Sequence, residues 1–180
     1  MLTQEHLQDA VDYGRCFIKL GSPASYIPEL ARVNKYQLGA CIVNLDGTVM
    51  ECGDTRTRFT IQSISKLASL ILAISDKGSD YLFHDKVGVE PTGDPFNSIV
   101  KLETKTKPFN PFINAGAITV ADCIEGNSSE EKFERFLSFV RKLCGDEEIS
   151  LNEAVYLSEK ATGDRNRALA YYLKASGILE

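Results

Sequence analysis

The chain has 180 residues, of which 43% are hydrophobic and 25% charged, a composition typical of a globular domain with a sizeable core. Its formal net charge of -5 argues against nucleic acid or an anionic membrane surface as a partner, because both attract basic proteins. The best apolar run, residues 67–74, is too short to span a membrane, and the N-terminus has neither the basic nor the apolar segment of a secretory signal. These features favour the cytoplasm.

Cysteine usage points to the same compartment. The five cysteines are odd in number, irregularly spaced and without a CxxC pair: Cys16, Cys41, Cys52, Cys123 and Cys144. We expect reduced, mostly buried thiols. The two histidines, His6 and His84, have no partner at metal-ligand spacing, and no glycine motif for phosphate binding occurs. The sequence therefore predicts neither a metal nor a nucleotide cofactor.

The first predicted element is a helix over residues 3–20. Its apolar residues recur at helical spacing, and Gly21 and Pro23 are stop signals. A short helical turn is expected next, with Pro28 near its start.

A β-hairpin follows. Residues 37–44 and 48–52 read as two strands, and Asp46-Gly47 between them is a hairpin turn signal. Almost no further strand is predicted. A two-stranded sheet leaves both edges open and is marginally stable alone, so we expect the chain to stop before its sheet is finished.

The rest of the chain is dominated by helical patterns. Predicted helices cover residues 65–77, 114–125, 129–144, 151–161 and 164–176, and glycines end several of them. The loop over residues 88–112 holds four of the six prolines, and a loop of this length is more often functional than idle. The fold class is α+β, with residues 1–62 forming the helix and hairpin and residues 63–180 a mostly helical part.

Ser63 and Lys66 lie three residues apart where a helix begins, so their side chains share a face. A serine hydroxyl needs a base to become a nucleophile, and a lysine can be that base when burial lowers its pKa. The apolar residues that follow predict a central, buried helix. The alternative is a serine that caps the helix beside a surface lysine, and this context alone does not decide between them. Two further SxxK pairs, Ser98/Lys101 and Ser129/Lys132, are interpreted as surface residues.

Six segments in order resemble the bacterial and mitochondrial serine-dependent glutaminases, which share the penicillin-binding protein/serine β-lactamase fold. The matching segments are residues 26–31, 62–66, 87–97, 110–118, 158–159 and 163–168. The resemblance implies that Ser63 attacks the side-chain amide of L-glutamine, releases ammonia and forms a γ-glutamyl ester that water hydrolyses. Lys66 would be the general base, and the Ser63 N–H would supply part of the oxyanion hole.

The resemblance also assigns the residues around this pair. Tyr26 would hydrogen-bond near the reacting centre and Gln62 would line the pocket. Three polar residues would hold the amino-acid end of the substrate: Asn114, Glu159 and Asn166. The active protein is expected to be a homodimer or homotetramer without a cofactor. Phe96 is either a gating or anchoring aromatic or a loop residue packed on the core.

Without the resemblance, each of these positions has an ordinary structural interpretation. Tyr26 reads as a half-buried packing residue, and Asn114 as the N-cap of its helix. Glu159 reads as an exposed helix residue, and Asn166 as a residue near a helix N-terminus.

Relatives continue past the last matching segment with further helices, the rest of the sheet and a second oxyanion donor. We therefore expect these 180 residues alone to hydrolyse glutamine very weakly or not at all. Two alternatives remain open: a serine acyl-transfer enzyme that acts on β-lactams or D-Ala-D-Ala peptides, and a non-catalytic interaction module.

Overall fold

The computed structural model describes residues 2–98 and 107–180. It has the predicted α+β composition, with one antiparallel two-stranded sheet among the described residues and a series of helices. The chain divides into two compact units, and each is described by itself. The first contains Met1–Thr60 and Asn152–Thr162, and the second contains Ile61–Leu151 and Gly163–Glu180.

The first unit begins with helix α1 (Gln4–Arg15), which is capped by the Thr3 side chain. The predicted helix ran on to residue 20, but α1 ends at Arg15 and a separate 3-10 helix covers Ile18–Leu20. Gly14, just before the end, lowers the helical preference there. The chain then tightens into i to i+3 hydrogen bonding, from the Phe17 N–H to the Gly14 carbonyl.

The predicted hairpin is confirmed. Strands β1 (Gly39–Val43) and β2 (Val49–Gly53) pair in antiparallel register, with Cys41 opposite Glu51. One face of the hairpin packs on α1 around a small core, whose buried members are Leu7, Val11 and Cys52. Helix α1 thus covers one face of the hairpin.

Helix α6 (Glu153–Thr162) groups with this first unit. The division into residues 1–62 and 63–180 stays a prediction. Val155 forms a buried cluster with Ile27 and Leu30, the latter in a 3-10 helix over Leu30–Arg32. The Ser158 hydroxyl accepts a hydrogen bond from the Glu29 N–H at 3.1 Å. Such long-range contacts leave no local sequence signal.

The second unit is helical. Its elements are the 3-10 helix Gln62–Ile64, α2 (Ser65–Lys77), α3 (Ser79–Tyr81), a π-helical turn (Leu82–Lys86), α4 (Asn114–Asp122), α5 (Ser129–Cys144) and α7 (Asp164–Ala175). The predicted bounds of α2 and α5 are confirmed. The segment after Gly78 was not predicted as helix, because that glycine (φ 83°) is a stop signal for α2 and a new helical turn starts directly after it.

Helix α2 is not buried on all sides, contrary to the prediction. Its Leu70, Leu72 and Ala73 lie in the main core of the unit, packed with side chains from the π-helical turn and α4. The opposite side of the helix carries Leu67 and Ile71, which are 53% and 44% exposed. The core that α4, α5 and the π-helical turn form with α2 covers only one face of this apolar helix.

The thiols are also more exposed than predicted. All five cysteines are free, but only Cys52 and Cys123 are buried, while Cys16, Cys41 and Cys144 are exposed. Burial raises the pKa of the Cys123 thiol above its usual range. No helix within residues 2–98 and 107–180 has the length and apolarity needed to cross a membrane.

An ion pair between α2 and α5 gives a stability prediction. The Asp76 side chain is 1% exposed and accepts hydrogen bonds from the Arg135 guanidinium and the Glu125 N–H. Arg135→Ala leaves this buried carboxylate without its cation, so we expect the thermal midpoint to fall by several degrees at neutral pH. Arg56→Ala, which removes the exposed partner of Glu51, is the matched control and should change little.

The same pair fixes the pH dependence of that loss. The hydrogen bond from Arg135 lowers the pKa of Asp76 in the folded chain. The pair therefore contributes its full stability at pH values above the pKa that Asp76 has in the unfolded chain. This contribution is lost as the pH falls through the lower pKa of the folded chain. The difference between Arg135→Ala and the unsubstituted chain should therefore shrink in acid. A difference that stays constant down to about pH 2, below the ordinary aspartate pKa of about 3.9, would contradict this assignment.

Candidate active site

Ser63 lies in the middle of the 3-10 helix Gln62–Ile64, immediately before α2. The cap position of α2 is Ile64, without a side-chain hydrogen bond, so the interpretation of Ser63 as a capping serine is wrong. Ser63 is exposed. The preceding Gln62 has φ 43°, in the left-handed region that non-glycine residues rarely adopt. Such backbone conformations cluster at functional sites, so the nucleophile candidate sits on an unusual turn.

Lys66 lies in the first turn of α2 and is half-buried, so it is not the surface lysine of the alternative interpretation. Its Nζ donates a hydrogen bond to the Phe112 carbonyl at 2.8 Å and another to Asn114 Oδ1 at 2.9 Å. Burial lowers the pKa of the amine from its ordinary value. This is the direction that a general base requires, because only the neutral amine can accept a proton.

Two of the predicted substrate-binding residues lie in the same hydrogen-bonded chain. Asn114 Nδ2 donates to Asn166 Oδ1 at 3.0 Å, while Asn114 Oδ1 faces Lys66. The interpretation of Asn114 as an N-cap is wrong, since Ile113 holds the cap position of α4 and Asn114 is the first helical residue. Asn166 lies in the first turn of α7, as predicted, and is half-buried.

Phe96 contacts the same amine from the loop. Its ring centroid is 5.3 Å from Lys66 Nζ, at cation–π distance, and its carbonyl accepts a hydrogen bond from the Asn114 N–H at 2.8 Å. Phe96 is 56% exposed, so its ring contacts the Lys66 amine without being packed into the core. The structure therefore favours the anchoring interpretation over the packing one.

Tyr26 and Glu159 belong to the first unit, and their surroundings are described within that unit only. Tyr26 is 66% exposed, so the interpretation of a half-buried packing residue is wrong. Glu159 is exposed on α6. The second unit thus joins Lys66, Asn114 and Asn166 by hydrogen bonds, and Ser63 precedes Lys66 by three residues. The catalytic and binding roles of all these residues, and of Tyr26 and Glu159, stay predictions.

The other SxxK pairs do not resemble this arrangement. Lys101 lies outside the described residues, so the Ser98 pair is not tested. Ser129 is exposed at the start of α5, and the half-buried Lys132 binds the carbonyl and carboxylate of Asp122. Within the part of the chain that the structure describes, no group of three or more His, Cys, Asp or Glu residues could hold a metal ion.

Comparison with known proteins decides the family. The glutaminase family profile matches residues 21–180. The chain belongs to the glutaminase family. Glutaminase 2 of Clostridium perfringens is 56% identical over 176 residues, which cover 97% of this chain and 57% of that protein. The glutaminase of Alkaliphilus metalliredigens is 52% identical over 98% of this chain and 58% of its own length.

Solved glutaminase structures agree with the fold. A Bacillus glutaminase crystallised in 4.3 M NaCl superposes with a TM-score of 0.86 at 44% identity, covering 98% of this chain and 55% of that one. A probable glutaminase from Bacillus subtilis complexed with 6-diazo-5-oxo-L-norleucine gives a TM-score of 0.83 at 40% identity, covering 100% and 54%. The chain thus has the β-lactamase-like fold of the glutaminases and spans little more than half the length of these relatives.

Sequence reasoning missed two contributors to the site. The Phe112 carbonyl binds Lys66, and the Asn110 side chain holds the turn that carries this carbonyl, with Oδ1 3.0 Å from the Phe112 N. A backbone carbonyl has no side-chain signature. The Asn110-Pro111 dipeptide was an available signal, because Asn-Pro favours the start of a turn.

Gly116 gives a prediction about the start of α4. A Cβ atom at this position would lie 1.9 Å from the Asn110 carbonyl oxygen. We expect Gly116→Ala to lower the free energy of unfolding by about 1–3 kcal/mol, because the backbone must shift. Gly14→Ala in α1 is the control, since its Cβ would meet only the flexible end of Leu38 at 3.2 Å. Denaturant unfolding should find this control neutral or stabilised by up to about 1 kcal/mol, and equal losses in both variants would contradict the prediction.

Proposed function

We propose that this chain carries the nucleophile and general base of an enzyme that hydrolyses L-glutamine to L-glutamate and ammonia. The observation that carries the proposal is the environment of Lys66. The amine is half-buried and has a lowered pKa, and it belongs to the residue three positions after the exposed Ser63. Serine–lysine pairs of this kind perform acyl transfer when the lysine is neutral.

The proposed reaction proceeds in two steps. Lys66 takes the hydroxyl proton of Ser63 as Oγ forms a bond to the amide carbon of the substrate. The carbon–nitrogen bond then breaks, and the proton held by Lys66 passes to the departing nitrogen, which leaves as ammonia. Water attacks the γ-glutamyl ester with Lys66 again accepting a proton, which returns to Ser63 Oγ as L-glutamate is released. The Ser63 N–H contributes to the oxyanion hole.

The amino-acid end of glutamine requires polar partners, because its ammonium and carboxylate lose hydration on binding. We assign this role to three residues: Asn114, Glu159 and Asn166. The Asn114–Asn166 hydrogen bond supports a shared function for the two amides. From the family resemblance we add Tyr26 near the reacting centre and Gln62 as a pocket residue.

We further propose that the enzyme works in the cytoplasm as a homodimer or homotetramer, without a cofactor. The five free thiols support a reducing compartment. The proposal of a homodimer or homotetramer comes from the family resemblance, and light scattering would test it.

The function is tested by covalent capture, because a captured product accumulates even when turnover is slow. The chain is incubated with 6-diazo-5-oxo-L-norleucine, the compound present in the Bacillus subtilis complex, and digested for peptide mass spectrometry. We expect the adduct on Ser63, and L-glutamine in the same incubation should suppress it. An adduct elsewhere, or none after long incubation, would refute the proposal for this chain.

The two alternatives are separated by parallel samples. Penicillin in place of the glutamine analogue should leave Ser63 unmodified, whereas an adduct there would favour the β-lactam-type enzyme. A thermal shift with L-glutamine or L-glutamate is expected from a glutaminase and not from a non-catalytic interaction module.

A further inference from the structure

We propose that Asn110 is a positioning residue for Lys66: its side chain holds the Phe112–Ile113 peptide so that the Phe112 carbonyl binds the lysine amine. The proposal gains its catalytic meaning from the proposed glutaminase function. The positioning itself is a structural claim and is measured without any reaction.

Asn110 organises its turn through three hydrogen bonds. Its Oδ1 accepts the N–H of Phe112 at 3.0 Å and the N–H of Ile113 at 3.2 Å. Its Nδ2 donates to the Glu90 carbonyl at 2.9 Å. The first two bonds are a local turn of the kind that asparagine favours, and the third ties the turn to a neighbouring segment of the same unit.

The segment that receives this third bond is itself held in place. The Gly88 N–H donates to the Pro108 carbonyl at 2.8 Å, and the Glu90 N–H donates to the Phe109 carbonyl at 2.9 Å. Pro108 is almost fully buried. Asn110 therefore hydrogen-bonds its turn to a backbone segment that has hydrogen bonds of its own.

The geometry of one peptide unit connects Asn110 to Lys66. A trans peptide is planar, and its N–H and C=O point in opposite directions. In the Phe112–Ile113 peptide the N–H is bound by Asn110 Oδ1, so the C=O is directed to the other side, where Lys66 Nζ lies 2.8 Å away. Rotation of this peptide would break both bonds together.

The second acceptor of Lys66 depends on the same turn. Asn114 follows this peptide by one residue, and its Oδ1 is 2.9 Å from Lys66 Nζ. A neutral amine has two hydrogens and one lone pair. With both hydrogens held by the Phe112 carbonyl and Asn114, the lone pair is what remains to accept a proton. Asn110 thus helps to fix the rotation of the base about its terminal bond.

The test measures the ionisation of Lys66 directly. Each lysine of the 180-residue chain is acylated competitively with trace acetic anhydride over a range of pH, and its titration midpoint is read by peptide mass spectrometry. We compare the unsubstituted chain with Asn110→Ala and Asn110→Ser. The control is Asn152→Ala, which removes a similar turn bond in the first unit, where the Val155 N–H donates to Asn152 Oδ1.

In Asn110→Ala we expect the Lys66 midpoint to rise toward the ordinary lysine pKa of about 10.4, because the amine is released into water. Serine can accept the same backbone N–H groups and should restore most of the original midpoint. Asn152→Ala should have no effect on Lys66. A folded Asn110→Ala with an unchanged Lys66 midpoint would overturn the proposal.

A reciprocal measurement covers the case in which Asn110→Ala does not fold. Lys66→Met removes the partner of the Phe112 carbonyl, so protection of the Ile113 amide at the other end of the same peptide should decrease in NMR hydrogen exchange. Unchanged protection would also overturn the proposal. The function is read separately: if the Lys66 midpoint shifts as expected but Ser63 is never captured by the glutamine analogue, the positioning stands and the glutaminase assignment fails.

Discussion

Ser63→Ala should abolish covalent capture by 6-diazo-5-oxo-L-norleucine. The substitution removes the oxygen that forms the ester, while the backbone N–H at this position remains. Loss of a nucleophile of this type typically lowers turnover by about a millionfold, so no adduct should be detected on the peptide that contains position 63. Of the predictions made for this chain, this one has the largest expected effect.

Ser69→Ala is the matched control for this experiment. Ser69 lies in α2, the helix that follows Ser63, and its hydroxyl donates to the Ser65 carbonyl at 3.0 Å, so it has no part in the proposed chemistry. Capture by Ser69→Ala should proceed at the rate of the unsubstituted chain. If Ser63→Ala were captured equally fast at another residue, the proposed nucleophile would be wrong.

Lys66→Arg should slow capture by about 100- to 10,000-fold. Arginine keeps a positive charge and can donate to the Phe112 carbonyl and Asn114, but it stays protonated at any accessible pH and cannot take the serine proton. Lys86→Arg is the control, since Lys86 is also half-buried and donates to the Ile178 carbonyl. We expect this control to react at the normal rate.

The pH dependence of covalent capture tests the role of Lys66 in a second way. Capture by the unsubstituted chain should increase with pH through the lowered pKa of Lys66, because the neutral amine is the active form. Between the lowered pKa of Lys66 in the folded chain and the ordinary lysine pKa, the unfolded chain binds more protons than the folded one. In this pH range Lys66 should therefore make the chain more stable as the pH rises. In Lys66→Arg both trends should disappear, and their persistence would assign them to another group.

The sequence was most informative where its signals are local. Helices α2 and α5 were predicted with the correct bounds because Gly78 and Gly145 end them through backbone conformations that glycine favours. The helical turn after Gly78 was missed for the same reason, since a strong stop signal says nothing about a helix that restarts at the next residue. The pairing of Ser63 with Lys66 was likewise a local inference from helical spacing.

The rest of the site depends on contacts between distant segments. Asn114 is separated by 48 residues from Lys66 and by 52 from Asn166, and no periodicity encodes such partners. The prediction that Asn114 contributes to the site came from the family resemblance. The contribution of the Phe112 carbonyl was found only from the structure, because a backbone carbonyl has no side-chain signature. Asn110 was identified through the hydrogen bonds that its side chain makes to the same turn.

The uncovered side of α2 has a practical consequence for every experiment described above. Ile64, Leu67 and Ile71 follow one another at helical spacing and are 64%, 53% and 44% exposed, so they form an aliphatic stripe in contact with water. Stripes of this kind bind apolar dyes and promote self-association as protein concentration increases. NMR samples should therefore be checked by serial dilution, and Leu67→Lys offers a variant with better solution behaviour.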